Sequence, residues 1–109
     1  VYELEHYLTP QERDVYGEWY RRLRDAKARR QIDRRLDRVI LGNFGDHKSC
    51  GSGVWELRID VGPGYRIYYG RSGERIVLLL CGGDKSTQPK DIEKAREYWI
   101  DWQERGGIK

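Results

Sequence analysis

Two cysteines, two histidines and no apolar run approaching the length of a membrane span set the first limits on this chain of 109 residues. A bilayer crossing takes about 18 or more consecutive apolar residues, so the composition leads to the expectation of a soluble protein with no membrane partner. The opening residues, VYELEHYL, lack a basic stretch followed by an apolar one, which argues against a secretory signal here and makes the cytoplasm the expected location. Cys50 falls in a polar loop and Cys81 at the end of an apolar strand. Such a pair is neither a disulfide framework nor a spaced metal site, and both are read as reduced thiols. His6 and His47 are too few and too far apart for zinc, so neither a metal nor a cofactor is expected. No spacing of Ser, His and Asp or of Cys and His marks a nucleophile. The GDKS tetrapeptide ending at Ser86 looks like the close of a phosphate-binding P-loop, but Leu78 and Leu79 occupy the region where its first glycine must stand.

What is present is charge, 36% of the chain, beside 38% hydrophobic residues, the balance of one globular domain over residues 1–109. Lys and Arg exceed Asp and Glu by 21 to 18, and a net charge of +3 does not by itself imply nucleic acid. The distribution says more: between Pro10 and Leu41 there are ten basic residues and six acids, and nine of the ten are arginine. The planar guanidinium suits phosphate and carboxylate. A solvated helical face laced with (i, i+4) ion pairs explains the same pattern equally well.

Alternation over residues 2–7 predicts a short strand, and Thr9, Pro10 and Glu12 read as the capping box of a first helix with Val15, Tyr16, Trp19, Tyr20 and Leu23 on its apolar face. A second helix is expected from about Lys27 to Leu41, stopped by Gly42. Residues 42–53, with four glycines, read as a long loop, and long ordered loops tend to carry function. Strands follow over 54–60, 64–70 and 75–81, the last apolar enough to be buried on both faces. Pro89 and Asp91 open a final helix with an Ile92, Ala95, Trp99 and Trp102 stripe. The expected class is α+β, in the order β-α-α-β-β-β-α, with a mostly antiparallel sheet.

The hairpin permits a sharper inference. Trp55, Leu57 and Ile59 must share a face with Tyr65, Ile67 and Tyr69, because a one-residue slip sends one set into water. Opposed residues then have numbers summing to 124, around a turn of Val61, Gly62 and Pro63. Arg58 falls opposite Arg66, and Glu56 opposite Tyr68. Like charges directly across two strands are destabilising. Either an anion such as phosphate holds the two guanidinium groups, or the side chains splay into solvent, or Glu56 and Asp60 neutralise them. Asp84 and Lys85, arriving at the end of the next strand ahead of a helix N-terminus, raise the weight of the anion.

The motifs GNFGD (42–46), GPGYR (62–66) and GGDKSTQ (82–88), within a match over about residues 2–98, resemble the addiction-module killer branch of the RelE/ParE toxin superfamily, related to HigB-type and phage-encoded Gp49-like proteins. The resemblance implies two N-terminal helices packed on a small twisted antiparallel sheet with a C-terminal helix. It implies a type II toxin held by a small antitoxin, usually a helix-turn-helix DNA-binding protein, and by analogy with RelE an endoribonuclease that cuts mRNA on the ribosome. Arg58 and Arg66 then match the sheet cations that contact the scissile phosphate and Lys85 the basic residue after the last long strand, with Asp84 as the available carboxylate. Arg29, Arg30, Arg34 and Arg35 on the second helix, with His47 and Lys48 on the long loop, are the expected contacts to RNA and ribosome. Two other readings belong to the same fold: a ParE-like inhibitor of DNA gyrase without catalytic residues, and a module that only pairs with antitoxin.

Overall fold

The computed structural model describes residues 1–107. The chain runs β1 (Glu3–His6), α1 (Val15–Arg22), α2 (Ala26–Ile40), β2 (His47–Gly51), β3 (Val54–Ile59), β4 (Tyr65–Ser72) and β5 (Ile76–Asp84), then a 3₁₀ turn (Lys85–Thr87) and α3 (Gln88–Glu104). The sheet has the order β1-β5-β4-β3-β2, with only the β1–β5 pair parallel, so the expected α+β class holds. None of the described helices is long and apolar enough to cross a membrane.

Three expectations are corrected. Thr9 does not cap a helix: its Oγ1 accepts from the Arg13 amide at 3.1 Å within a tight turn that places Glu12 at φ +63°, and α1 begins after Asp14, whose carboxylate accepts from Gly17 N. A capping-box spacing suits such a turn as well as a helix, and the Leu8–Asp14 bridge closes the loop first. The long loop 42–53 holds β2, an edge strand whose HKSCG residues, all exposed but the half-buried Cys50, carry no apolar alternation. Its connection to β3 is the two-residue turn of Ser52 and Gly53, both at positive φ, as a primed hairpin turn requires. The third strand reaches Asp84 rather than stopping at Cys81, so the polar segment begins inside the sheet.

The core forms on both faces of the sheet because β5 is apolar in both directions: Val77, Leu78, Leu79 and Leu80 are all fully buried. On one face Ile32, Leu36 and Val39 of α2 and Tyr16 of α1 pack on Leu57, Ile67, Tyr69 and Leu79. On the other, Ala95 and Trp99 of α3 pack on Tyr7, Val54, Tyr68, Leu78 and Leu80. Gly82 lets α1 close down, since a Cβ there would lie 2.2 Å from the Trp19 ring. Gly82→Ala is therefore expected to overpack this contact and to lower the unfolding free energy by about 1–3 kcal/mol in urea denaturation. An unchanged midpoint would show that Trp19 is free to move aside.

Candidate phosphate-binding site

The observed β3–β4 register is the one that side-chain parity demands: Trp55 opposes Tyr69, Leu57 Ile67, Glu56 Tyr68, and Arg58 Arg66. The ladder ends at Ile59–Tyr65, so the turn spans residues 60–64, wider than the expected three. Directly opposed residues share a face, so Lys48, Glu56, Arg58, Arg66 and Tyr68 all lie on the α3 side of the sheet. There α3 covers only the apolar half. It starts at Gln88, and the polar half lies beyond its N-terminus.

Glu56 organises this half. It is 2% exposed, and its carboxylate lies 3.0 Å from Arg58 Nε and 3.3 Å from Arg66 Nε. Gln88 Nε2 donates to both carboxylate oxygens at 3.0 Å, and the Cys50 thiol donates to Oε1 at 3.4 Å. Burial acts to raise the Glu56 pKa, but the hydrogen bonds from Arg58, Cys50 and Gln88, with the Arg58 charge, outweigh it and hold the group below the usual carboxylate range. The compensation for the opposed arginines is thus internal, the Glu56 alternative. Two guanidinium groups against one carboxylate still leave one unit of positive charge.

Arg58 donates to Glu56 through Nε, whereas Arg66 Nε is buried beside the same carboxylate as an ion pair without a hydrogen-bond partner among the described residues, and Arg66 donates through Nη1 to the Tyr65 carbonyl at 3.1 Å. The Arg66 side chain is 12% exposed and that of Arg58 34%. Beneath them the Tyr68 hydroxyl is fully buried with no hydrogen-bond partner among the described residues, and burial pushes its pKa up. Lys85 joins the cluster through its backbone, donating its amide to the Gly64 carbonyl at 2.9 Å. A Cβ on Gly64, which sits at φ +82°, would lie 3.5 Å from Arg66 Nη1 and 3.7 Å from Lys85 Cβ, so this turn brings the two basic residues together. Asp84 is occupied as a cap: its Oδ1 accepts from the Ser86 amide at 2.8 Å and from the Ser86 hydroxyl, which lowers its pKa.

The remaining candidates divide. Arg30 and Arg34 are solvent-exposed on α2. Arg29 donates to the Leu23 carbonyl. Arg35 donates to the carbonyls of Arg58, of Phe44 at 2.9 Å and of Asp46 at 3.1 Å, and burial lowers its pKa. His47 belongs to the opposite face, between the Phe44 and Trp55 rings at 5.7 and 5.3 Å. Lys48 is exposed beside Glu56 on the site face. Gln88 and Cys50 escape sequence reasoning, because neither carries charge and each reaches Glu56 from an element distant in the chain. Burial pushes the thiols of Cys50 and Cys81 up to about 12, unlike activated thiols. Among the described residues no three His, Cys, Asp or Glu side chains gather to hold a metal ion.

Residues 8–99 match the family of phage-derived Gp49-like proteins, and the chain belongs to that family, which falls in the toxin–antitoxin-related, RelE/HigB-like group. It is also similar to an uncharacterized protein of Haemophilus influenzae, at 48% identity over 82 residues that cover 75% of this chain and 83% of the relative. The family points to a toxin–antitoxin-like protein with an antitoxin partner.

Breaking the buried cluster is costly. Glu56→Ala is expected to destabilise the fold by roughly 3 kcal/mol, the low end for removing one partner of a buried ion pair, because Arg58 stays partly solvated. The Glu56 pKa is depressed on folding. Its stabilisation is therefore complete above the unfolded value, about 4.3, and is lost as pH falls through the lower folded value. Urea titrations of wild type and Glu56→Gln across that acid window check this, and parallel pH profiles would show that Glu56 is not the group responsible.

Proposed function

We propose that residues 1–109 form a single toxin unit of a type II toxin–antitoxin pair, an endoribonuclease that cuts mRNA on the ribosome and so acts in the cytoplasm. The observation that carries this reading is the Arg58–Arg66 pair, directly opposed, held through Nε by Glu56 and left with a net positive charge at the open end of α3. Such a pair suits a phosphate, whose oxygens the planar guanidinium groups grip in two-point fashion.

In the reaction, the ribose 2′-oxygen attacks the adjacent phosphorus, the 5′-oxygen leaves, and a cyclic phosphate and a 5′-hydroxyl result. The added negative charge on the phosphoryl oxygens falls to Arg58 and Arg66, preorganised donors that need no rearrangement at the moment of reaction. Lys85, brought beside Arg66 by the Gly64 turn, adds a third cation or moves a proton. Asp84 is the other candidate for proton transfer; its capping of the Ser86 turn and its lowered pKa suit an anchor for Lys85 better than a base. Arg30 and Arg34 on α2, with Lys48 on β2, supply contacts to ribosomal RNA, while Arg29, Arg35 and His47 hold the scaffold. A small helix-turn-helix antitoxin is the proposed protein partner.

Purified protein is expected to cleave mRNA on translating ribosomes, and Arg66→Ala to lower that cleavage by at least 100-fold, on the order of losing one preorganised donor to the developing charge, with the circular dichroism spectrum retained. Mapping of RNA 5′ ends after induction of each protein reads the effect in cells. Growth arrest without RNA cleavage, unchanged by Arg66→Ala, would overturn the nuclease and favour inhibition of a protein target such as gyrase.

A further inference from the structure

Away from the arginine pair, the sheet ends in an edge that no described strand covers. β1 is outermost, and it meets β5 through its odd-numbered residues: Glu3 N donates to Arg75 O at 2.7 Å and Tyr7 N to Leu79 O at 2.9 Å. Successive residues of a strand aim their N–H and C=O to opposite sides. Leu4 and His6 therefore present four backbone groups outward, none of them hydrogen-bonded among the described residues. This open stretch is short. At one end Tyr2 N donates to Ile40 O at 2.7 Å, and at the other the Leu8–Asp14 bridge closes the chain on itself.

The side chains beside this edge are acidic. Glu3 and Glu5 lie on the same face as Tyr7, the α3 side; both are exposed, and neither makes an ion pair among the described residues. Next to them a groove of about 410 Å³ opens between β1 and the end of α3, with Ile76, Trp102 and the exposed Leu8 among its walls. Arg105 also lines it, but its guanidinium is spent on Asp101, at 2.7 Å, and on the Leu8 carbonyl. His6 is turned to Asp14, at 2.9 Å. A second copy of this chain fits poorly: antiparallel pairing through Leu4 and His6 sets Glu5 against Glu5, or Glu3 against Glu5, and like charges across two strands repel. The complement is an extended segment with lysine or arginine at alternate positions. Its charged heads meet Glu3 and Glu5, and its aliphatic stems lie along the apolar wall of the groove.

We propose that the outer edge of β1 is a docking site for the antitoxin, which adds a short basic strand to the sheet there; the inference rests on the family's antitoxin partnership and not on RNA cleavage. Because the open edge offers only Leu4 and His6, few backbone hydrogen bonds form and selectivity falls to the charges. β5 stands between β1 and the strands that carry Arg66 and Arg58, so this segment of the antitoxin does not itself cover the arginine pair.

The test is an NMR titration of the ¹⁵N-labelled full chain with the peptide acetyl-Val-Lys-Val-Lys-Val-amide and with its counterpart carrying glutamate for lysine, following the Leu4 and His6 amides. The lysine peptide is expected to move both signals and to bind about tenfold more tightly than the glutamate peptide, the order of two cross-strand charge pairs. The double variant Glu3→Lys, Glu5→Lys, at two exposed positions, is expected to reverse that preference. In the complex with the antitoxin, the same two amides are expected to exchange with solvent roughly tenfold or more slowly than in the free chain. Equal affinities for the two peptides, or amides that neither peptide moves, overturn the docking surface. So does protection of these amides in the free chain: rising with concentration it marks a second copy as the occupant, and independent of concentration a segment of the chain itself. Unchanged exchange in the complex overturns the antitoxin as the occupant. No readout here involves RNA, so failure of this edge and failure of the nuclease reading are told apart.

Discussion

The buried carboxylate of Glu56 is the constraint around which the polar half of the molecule is arranged. Hairpin parity places Arg58 and Arg66 face to face, a repulsive pairing that the apolar residues on the other face make unavoidable. Glu56 sits two residues before Arg58 on the same strand and face, which puts its oxygens between the two guanidinium groups. An ionised carboxylate so deeply buried needs several donors, and it draws them from β2 through Cys50, from β3 through Arg58 and from α3 through Gln88, while Arg66 of β4 adds its charge at 3.3 Å. Four elements are thereby fastened at one point, so the geometry of the site and the integrity of the fold depend on the same contacts.

The place where α3 begins follows from the same end of the sheet. Gly83 has no side chain, and a Cβ there would meet the Asp91 carboxylate at 1.9 Å and the Thr87 hydroxyl at 3.0 Å. That close approach seats the first turn of α3 on β5, so Gln88 reaches Glu56 while Ala95 and Trp99 cover the apolar half. Asp91 accepts from Thr87 at 2.5 Å, and burial together with the nearby Asp84 raises its pKa against that hydrogen bond. One helix therefore seals the core with its middle and borders the site with its start.

How much of this was legible depended on whether a residue announces its environment. The register was legible because Trp55, Leu57 and Ile59 alternate without a break and Tyr65, Ile67 and Tyr69 answer them; the identity of the opposed arginines followed from counting. Strand β2 was not, because an edge strand made of His, Lys, Ser, Cys and Gly pairs through its backbone and shows no apolar period. Its trace was the Ser52–Gly53 turn rather than anything in the strand. The Thr9 capping box misled because three-residue spacing between a hydroxyl and an acid describes turns as well as helices. Within the site, charged residues were nameable from the sequence, whereas Gln88 and Cys50 were not, since nothing local to a neutral side chain says that a buried acid lies across from it.

The arginines of α2 show why counting charge is a poor guide to a binding surface. In sequence, Arg29, Arg30, Arg34 and Arg35 are one basic stretch. In the fold, Arg29 closes the α1–α2 connection by donating to Leu23 O, and Arg35 spends its guanidinium on the carbonyls of Phe44, Asp46 and Arg58. Burial penalises the charge of Arg35, so that group is unsuited to meet a phosphate and well suited to hold the Arg58 backbone. Arg30 and Arg34 alone keep their heads in water on that stretch. The helix thus acts on the site mainly through Arg35: it fixes the strand segment from which Arg58 projects, and Glu56 fixes the side chain itself. A guanidinium held at both backbone and Nε loses little freedom when an anion arrives, and preorganisation of that kind favours a tight grip on a developing charge.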